Sequence, residues 1–174
     1  AVFVEVRFDE ITDSFRLVYD RMKADGFDVH EQFIENIKPG KWGYIKRCLR
    51  MLEDISDANY VFLNDACNVT SCIPLRKGTK IYQLWHACGA FKKFGMSTAE
   101  LIFGDNRKSL EKYPNYGNLS YVTVSSPEVI WAYEEAMNLK DTKTQVVATG
   151  VSRTDVFYDQ HFIEQSKAAV YSVC

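Results

Sequence analysis

Val2-Phe-Val-Glu-Val6, then Asp13-Ser-Phe-Arg-Leu-Val-Tyr-Asp-Arg-Met-Lys23, then Gly26 and Phe27-Asp-Val-His-Glu-Gln-Phe-Ile34 form the stretch that decides the fold class. The first run is short and apolar, as a strand is. In the second, Phe15, Val18, Tyr19 and Met22 fall on one face of a helix. Gly26 stops that helix, and residues 27–34 alternate as a strand does.

The rhythm repeats downstream. After the turn signal Lys38-Pro39-Gly40, residues 44–55 place Ile45, Cys48, Leu49, Leu52 and Ile55 on one helical stripe. Four more short apolar runs follow at 60–63, 81–85, 121–124 and 145–148. Residues 127–137 read as a helix, begun by Ser126 with Pro127 at its first position, or by a capping box of Ser125 with Glu128. Strands separated by helices pair in parallel, so the expected class is α/β, a Rossmann-like parallel sheet layered with helices.

Two segments depart from this rhythm. Residues 91–117 are interrupted by Gly95, Gly104, Pro114 and Gly117, and mix Phe94, Met96, Leu101, Ile102 and Phe103 with Lys92, Lys93, Arg107 and Lys108. They read as an inserted docking or active-site region with a helix near 98–103, or as a folded insertion with its aromatics turned inward. Residues 168–173 look like a strand, either the last of this sheet or the first of another domain.

Composition narrows the function classes. The chain has 174 residues, 47% hydrophobic and 25% charged, which suits one ordered domain. A net charge of −2 argues against nucleic-acid binding through a global positive field. No apolar run approaches the roughly 18 residues of a membrane span, and the first residues carry charge too early for a signal peptide. The five cysteines are odd in number and lack a CxxC spacing, so reduced thiols are expected. On that reading a Cys67–Cys72 pair and the tripeptides at Asn68 and Asn118 carry no weight.

In an open parallel sheet, ligands bind beyond the carboxyl ends of the strands. The residues leaving the expected strands are Asn64 and Asp65; His86, Cys88 and Gly89; Ser125 and Ser126; and Thr149, Gly150, Ser152 and Arg153. His86 fits a general base, since an imidazole titrates near working pH, or a core or capping histidine. His30 and His161 read as structural, and Cys88 as buried small-residue packing rather than a nucleophile. Lys92 and Lys93 fit phosphate contacts or a solvated basic pair. The block Thr149-Gly-Val-Ser-Arg-Thr-Asp155 fits phosphate recognition through Arg153, or a plain helix cap. There is no Walker loop, GxGxxG, HExxH or DxD, and no metal site is expected.

Three ordered blocks carry a family resemblance. Tyr82-Gln-Leu-Trp-His-Ala-Cys-Gly-Ala-Phe-Lys-Lys-Phe-Gly95 resembles the Q-x-W-H-G-x-x-x-K-x-x-G signature of the CDP-glycerol glycerophosphotransferases, the teichoic acid primases and polymerases. Val122-Thr-Val-Ser-Ser-Pro127 is similar to that family's Ser-Ser turn, and residues 149–155 to its T-G-x-P-R-x-D block. Ala87 stands where the pattern has glycine, and Ser152 where it has proline.

The resemblance implies the N-terminal, acceptor-side half of a GT-B architecture. Residues 1–167 would form this Rossmann-like domain, and 168–174 would begin a C-terminal nucleotide-binding domain. It implies transfer of glycerol phosphate or ribitol phosphate from CDP-glycerol or CDP-ribitol to an undecaprenyl-linked glycerol-phosphate acceptor. His86 would be the base, with Lys92, Lys93, Ser125, Ser126, Gly150, Arg153 and Asp155 binding substrate or phosphate, and no metal or cofactor taking part. The enzyme would sit peripherally on the anionic cytoplasmic face of the bacterial plasma membrane, with no nucleic-acid partner. The rival readings are a GT-B glycosyltransferase using a nucleotide sugar and a non-catalytic module that binds acceptor or membrane.

Overall fold

A computed structural model describes residues 1–34 and 40–173. The strands β1 (Val2–Glu5), β2 (His30–Phe33), β3 (Tyr60–Leu63), β4 (Lys80–Gln83), β5 (Tyr121–Thr123) and β6 (Gln145–Val147) form one sheet, in the order β2-β1-β3-β4-β5-β6. Every pairing is parallel. The helices are α1 (Asp13–Ala24), α2 (Lys41–Asp57), the single turn α3 (Asn68–Ser71), α4 (Arg107–Lys112), α5 (Ile130–Ala136) and α6 (Gln160–Tyr171). The expected α/β class and its six strands are therefore present; Lys38 and Pro39 of the expected turn lie outside the described residues.

Alternation along β1 divides the core into two layers. Val2 and Val4 face the larger cluster, with Cys48, Met51 and Ile55 of α2 and Tyr133 of α5. Phe3 faces the other side, where Phe15 and Tyr19 of α1 close over it edge-on. On that side Phe3, Phe62, Tyr82 and Tyr121 are register partners on adjacent strands, with stacked centroids 4.6, 5.3 and 5.0 Å apart. This aromatic ladder pins the register, since a one-residue slip would move every ring to the opposite face.

Gly26 ends α1 as expected. It sits at φ +81° and its N–H donates to Lys23 O, while Phe27 N–H reaches Met22 O, the paired bonds of a glycine-terminated helix.

Four local expectations are corrected. First, the buried face of α2 runs through Cys48, Met51 and Ile55, and leaves Ile45 and Leu49 outside. The apolar residues of this helix cover more than one face, so periodicity alone did not single out the inner one. Second, the helix expected near 98–103 is not there; the chain makes a 3₁₀ turn over Gly95–Thr98, residues 99–103 are turns and bends, and the α-helix of this segment is α4, capped by the Asn106 side chain. Gly104 packs so close to Thr98 O that a Cβ there would lie 1.7 Å from it, a tight reversal that a continuous helix cannot make. Third, Cys88 is exposed rather than buried.

Fourth, the strand expected at 168–173 is largely helix, because α6 carries through to Tyr171. The Asp159 carboxylate accepts from His161 and Phe162 N–H and nucleates the helix, and Ala168 and Ala169 continue it at no propensity cost.

Candidate active site

The strand order reverses direction around β1, which pairs with β2 on one side and β3 on the other. The connections on either side of such a point leave the sheet in opposite directions and open a crevice at the carboxyl ends of the strands. A cleft of about 470 Å³ lies there, lined by the end of β1 and its loop (Glu5, Arg7, Thr12), the start of α1 (Arg16), the end of β3 (Asn64, Asp65), His86 and Arg153.

His86 follows a strained corner. Trp85 has φ +60°, a left-handed conformation that costs a bulky residue about 1–3 kcal/mol and persists only when packing over-determines it. The packing is present: Trp85 is buried, stacks on Phe94 at 4.8 Å and on the His86 ring at 4.5 Å, and meets Tyr133 edge-on. Gln83 holds the corner from inside. Wholly buried, it donates to Asp65 O at 2.9 Å and accepts from Trp85 N–H at 3.1 Å. The corner thus accounts physically for the glutamine and tryptophan of the block 82–95. Ala87 is not at positive φ, so the alanine fits where the pattern has glycine.

The imidazole's tautomer follows from its neighbour. His86 Nδ1 lies 2.8 Å from the main-chain oxygen of Asn64. A carbonyl only accepts, so Nδ1 carries a hydrogen, and in the neutral imidazole Nε2 is then the nitrogen with the lone pair, with no partner among the described residues. From the other side, Arg153 Nη1 donates to His86 O at 2.9 Å. His86 and Arg153, 67 residues apart, meet in one cleft.

Beneath them is a carboxylate that sequence reasoning did not single out. Glu5 has no exposed surface. Its Oε1 accepts from Thr12 N–H at 2.9 Å and from the Thr12 hydroxyl, and its Oε2 accepts from Asn64 Nδ2 at 2.7 Å. Asn64 is thereby fixed through its side chain while its carbonyl fixes His86. Asp65, also buried, accepts from Ala66 N–H at 2.7 Å and pairs with Arg7 across the rim. Burial first, and the Asp65 carboxylate second, hold the nearby Tyr116 phenol protonated well above its usual range. The one signal available for Glu5 was a charge inside an apolar run; that β1 is central rather than an edge was not legible.

The other candidates are distributed differently. Gly150, at φ +93°, and Asp155 line a second cavity of about 390 Å³ between α1 and the end of β6, with Thr149 and Ser152. Lys92 and Lys93 are exposed and line neither cavity. Nor do Ser125 and Ser126, which precede a 3₁₀ turn with Pro127 at its start. Ser126, rather than Ser125, is the neighbour that holds the Glu128 carboxylate's pKa below the ordinary range. His30, away from the cleft, lies between Asp28 and Asp54. No group of three His, Cys, Asp or Glu side chains among the described residues is placed to hold a metal.

Known proteins place this architecture. The chain is 33% identical over 165 residues to the teichoic acid ribitol-phosphate primase of Bacillus spizizenii, which covers 93% of this chain and 42% of that protein. It is 33% identical over 162 residues to the teichoic acid ribitol-phosphate polymerase TarK of Staphylococcus aureus, covering 90% of this chain and 30% of the relative. The chain thus spans less than half the length of these curated relatives. Among solved structures, the wall teichoic acid polymerase TagF, in a histidine-to-alanine variant, superposes with a TM-score of 0.66 at 13% identity, over 98% of this chain and 43% of that one. A second TagF structure, a histidine-to-asparagine variant soaked with CDPG, gives 0.63 at 14% identity. At such identities the likeness speaks to the fold. The sequence model of the CDP-glycerol:poly(glycerophosphate) glycerophosphotransferases matches residues 1–170, and the chain belongs to that family.

Proposed function

We propose that the protein to which this chain belongs transfers glycerol phosphate or ribitol phosphate from a CDP-alditol to a hydroxyl of a lipid-linked acceptor in teichoic acid synthesis. The chain supplies the acceptor-side, Rossmann-like half of a GT-B enzyme, and a separate C-terminal domain, not begun within α6, supplies the nucleotide site. The observation that carries the reading is the hydrogen bond from His86 Nδ1 to Asn64 O, which leaves Nε2 as the acceptor of the neutral ring in the cleft at the switch point.

The chemistry follows from that nitrogen. Nε2 takes the proton of the acceptor hydroxyl as its oxygen attacks the donor's β-phosphorus; the new P–O bond forms while the bond to CMP breaks, and CMP leaves with the electron pair. Positive charge is needed where the phosphoryl oxygens gather negative charge. Arg153 is held at that edge of the cleft by the His86 carbonyl, and Arg7 and Arg16 also line the cleft. Lys92 and Lys93 serve the anionic acceptor from outside the cleft; Ser125, Ser126, Gly150 and Asp155 shape the loops that face the donor half. The reading gives this chain no metal or cofactor to hold. It also places the enzyme peripherally at the cytoplasmic membrane face. No described helix is long and apolar enough to cross a membrane. Within 91–117, Phe94 packs inward on Trp85 and Tyr133, while Phe91, Ile102 and Phe103 stay exposed beside Lys92, Lys93, Arg107 and Lys108.

The test is CMP release by the protein at its natural length, with CDP-glycerol and CDP-ribitol in parallel and a lipid-linked glycerol-phosphate acceptor. Acceptor-dependent release that falls about 10²- to 10⁴-fold in His86→Ala is expected. Undiminished release in that variant removes His86 as the base, and no release from either donor by the folded protein refutes the reading.

A further inference from the structure

The outward face of α2 has no described partner. Trp42 is 79% exposed, Leu49 61% and Ile45 43%, and their spacing of three and four residues puts them in one stripe. The inward face, through Cys48, Met51 and Ile55, is fully used by the core. A tryptophan and two aliphatic side chains left in water along one helix face mark a surface that something covers.

The charge around the stripe says what. Lys46 and Arg50 flank it on one side and Lys41 on the other, and residues 41–52 contain no aspartate or glutamate, in a chain whose acids outnumber its bases. Arg47 is left out of this set, because its Nε donates to Ile34 O. An apolar stripe with a tryptophan, bordered by lysine and arginine over residues 41–52 and meeting acid only at its C-terminal end, at Glu53, suits a helix whose first three turns lie in the plane of a bilayer surface. There the rings and aliphatics enter at headgroup depth and the long basic stems reach up to anionic phosphates.

We propose that α2 docks the protein to an anionic lipid bilayer, with Trp42, Ile45 and Leu49 inserted and Lys41, Lys46 and Arg50 on the headgroups. The proposal rests on the reading of a lipid-linked acceptor for its biological sense, and it locates membrane contact in an element outside residues 91–117. Both elements pack on the same side of the sheet: Cys48, Met51 and Ile55 of α2 share one core cluster with Phe94 and Tyr116.

The test uses the natural-length protein and vesicles of phosphatidylcholine, with and without an equal share of phosphatidylglycerol. Binding to the anionic vesicles is expected to fall at least tenfold in Trp42→Ser/Ile45→Ser/Leu49→Ser. In Lys41→Gln/Lys46→Gln/Arg50→Gln it is expected to fall about 100-fold, at roughly fivefold per basic side chain. Far-UV circular dichroism and turnover of a water-soluble acceptor should be unchanged in both. Should the triple serine variant not fold, Trp42→Phe serves instead: brominated lipid should quench the wild-type fluorescence and lose most of that effect in the variant.

Binding of the serine variant within twofold of wild type overturns the proposal, as does equal wild-type binding to neutral and anionic vesicles. So does a concentration-dependent dimer that disappears in the serine variant, which would mean a second copy covers the stripe. Stripe-dependent vesicle binding without any transferase activity would refute the functional reading and leave the docking face standing.

Discussion

Replacing Glu5 by glutamine keeps the shape of a wholly buried side chain and changes only its hydrogen-bonding logic. The carboxylate accepts from Thr12 N–H, the Thr12 hydroxyl and Asn64 Nδ2. An amide has one accepting oxygen. Its NH₂ group must face either Asn64 Nδ2 or Thr12 N–H, donor against donor. A buried donor left unsatisfied costs about 1–3 kcal/mol, and the surviving bonds lose their charge assistance. No longer burying a charge works in the opposite direction. The net expectation is a destabilisation of about 2 kcal/mol. With a urea dependence of about 2 kcal/mol per molar, the midpoint of urea unfolding should fall by about 1 M. Because Asn64 carries the carbonyl that orients His86, kcat of the folded variant should also drop, by about tenfold, with KM for the donor little changed. An unchanged or raised unfolding midpoint would refute the account, by showing that desolvation of the carboxylate outweighs its hydrogen bonds. A lowered midpoint with unchanged kcat would confine Glu5 to holding the fold.

Other substitutions test other parts. Ser152 begins a 3₁₀ turn, its Oγ is buried without a partner, and Val151 before it is extended at φ −117°. Ser152→Pro should therefore raise stability by about 0.5–1 kcal/mol, read as a higher thermal midpoint. Gly95 sits at φ +54°, with an added Cβ only 2.3 Å from Ala136 O, so Gly95→Ala should destabilise by at least about 2 kcal/mol in urea unfolding. His30 has its pKa raised, chiefly by its bond to Asp28 and then by Asp54. The stability it contributes is present below the unfolded value near 6.5 and is lost as pH rises through the higher folded value. The midpoint should decline from pH 6 to pH 8 more steeply in wild type than in His30→Gln.

The six strands and the helices α1 and α2 were legible because each carries its own period. So was the polar set at the strand exits, because in a parallel sheet the exits share one edge. His86 and Arg153 were found this way, and the cleft contains both. What the linear sequence hid is strand order: Glu5 matters because β1 is flanked by β2 and β3, and no local pattern states that. The α2 stripe misled because its outer face is as apolar as its inner one. Residues 168–173 misled because two valines and a tyrosine resemble a strand, whereas a cap nine residues upstream at Asp159 had already set the helix.

The sheet order also bears on how the chain is assembled during synthesis. Of these six strands β1 and β2 are made first and pair; β3 then adds to the free edge of β1, and β4, β5 and β6 each add beside the strand made just before. No strand has to be inserted between two already joined, so the sheet grows in the direction of translation. Glu5, Asn64 and His86 are in place once β4 is laid down, while Arg153 arrives only after β6. Ribosome-bound intermediates that end before β6 would thus hold Glu5, Asn64 and His86 in their final arrangement while Arg153 is still missing, so on the proposed roles the base precedes the cation.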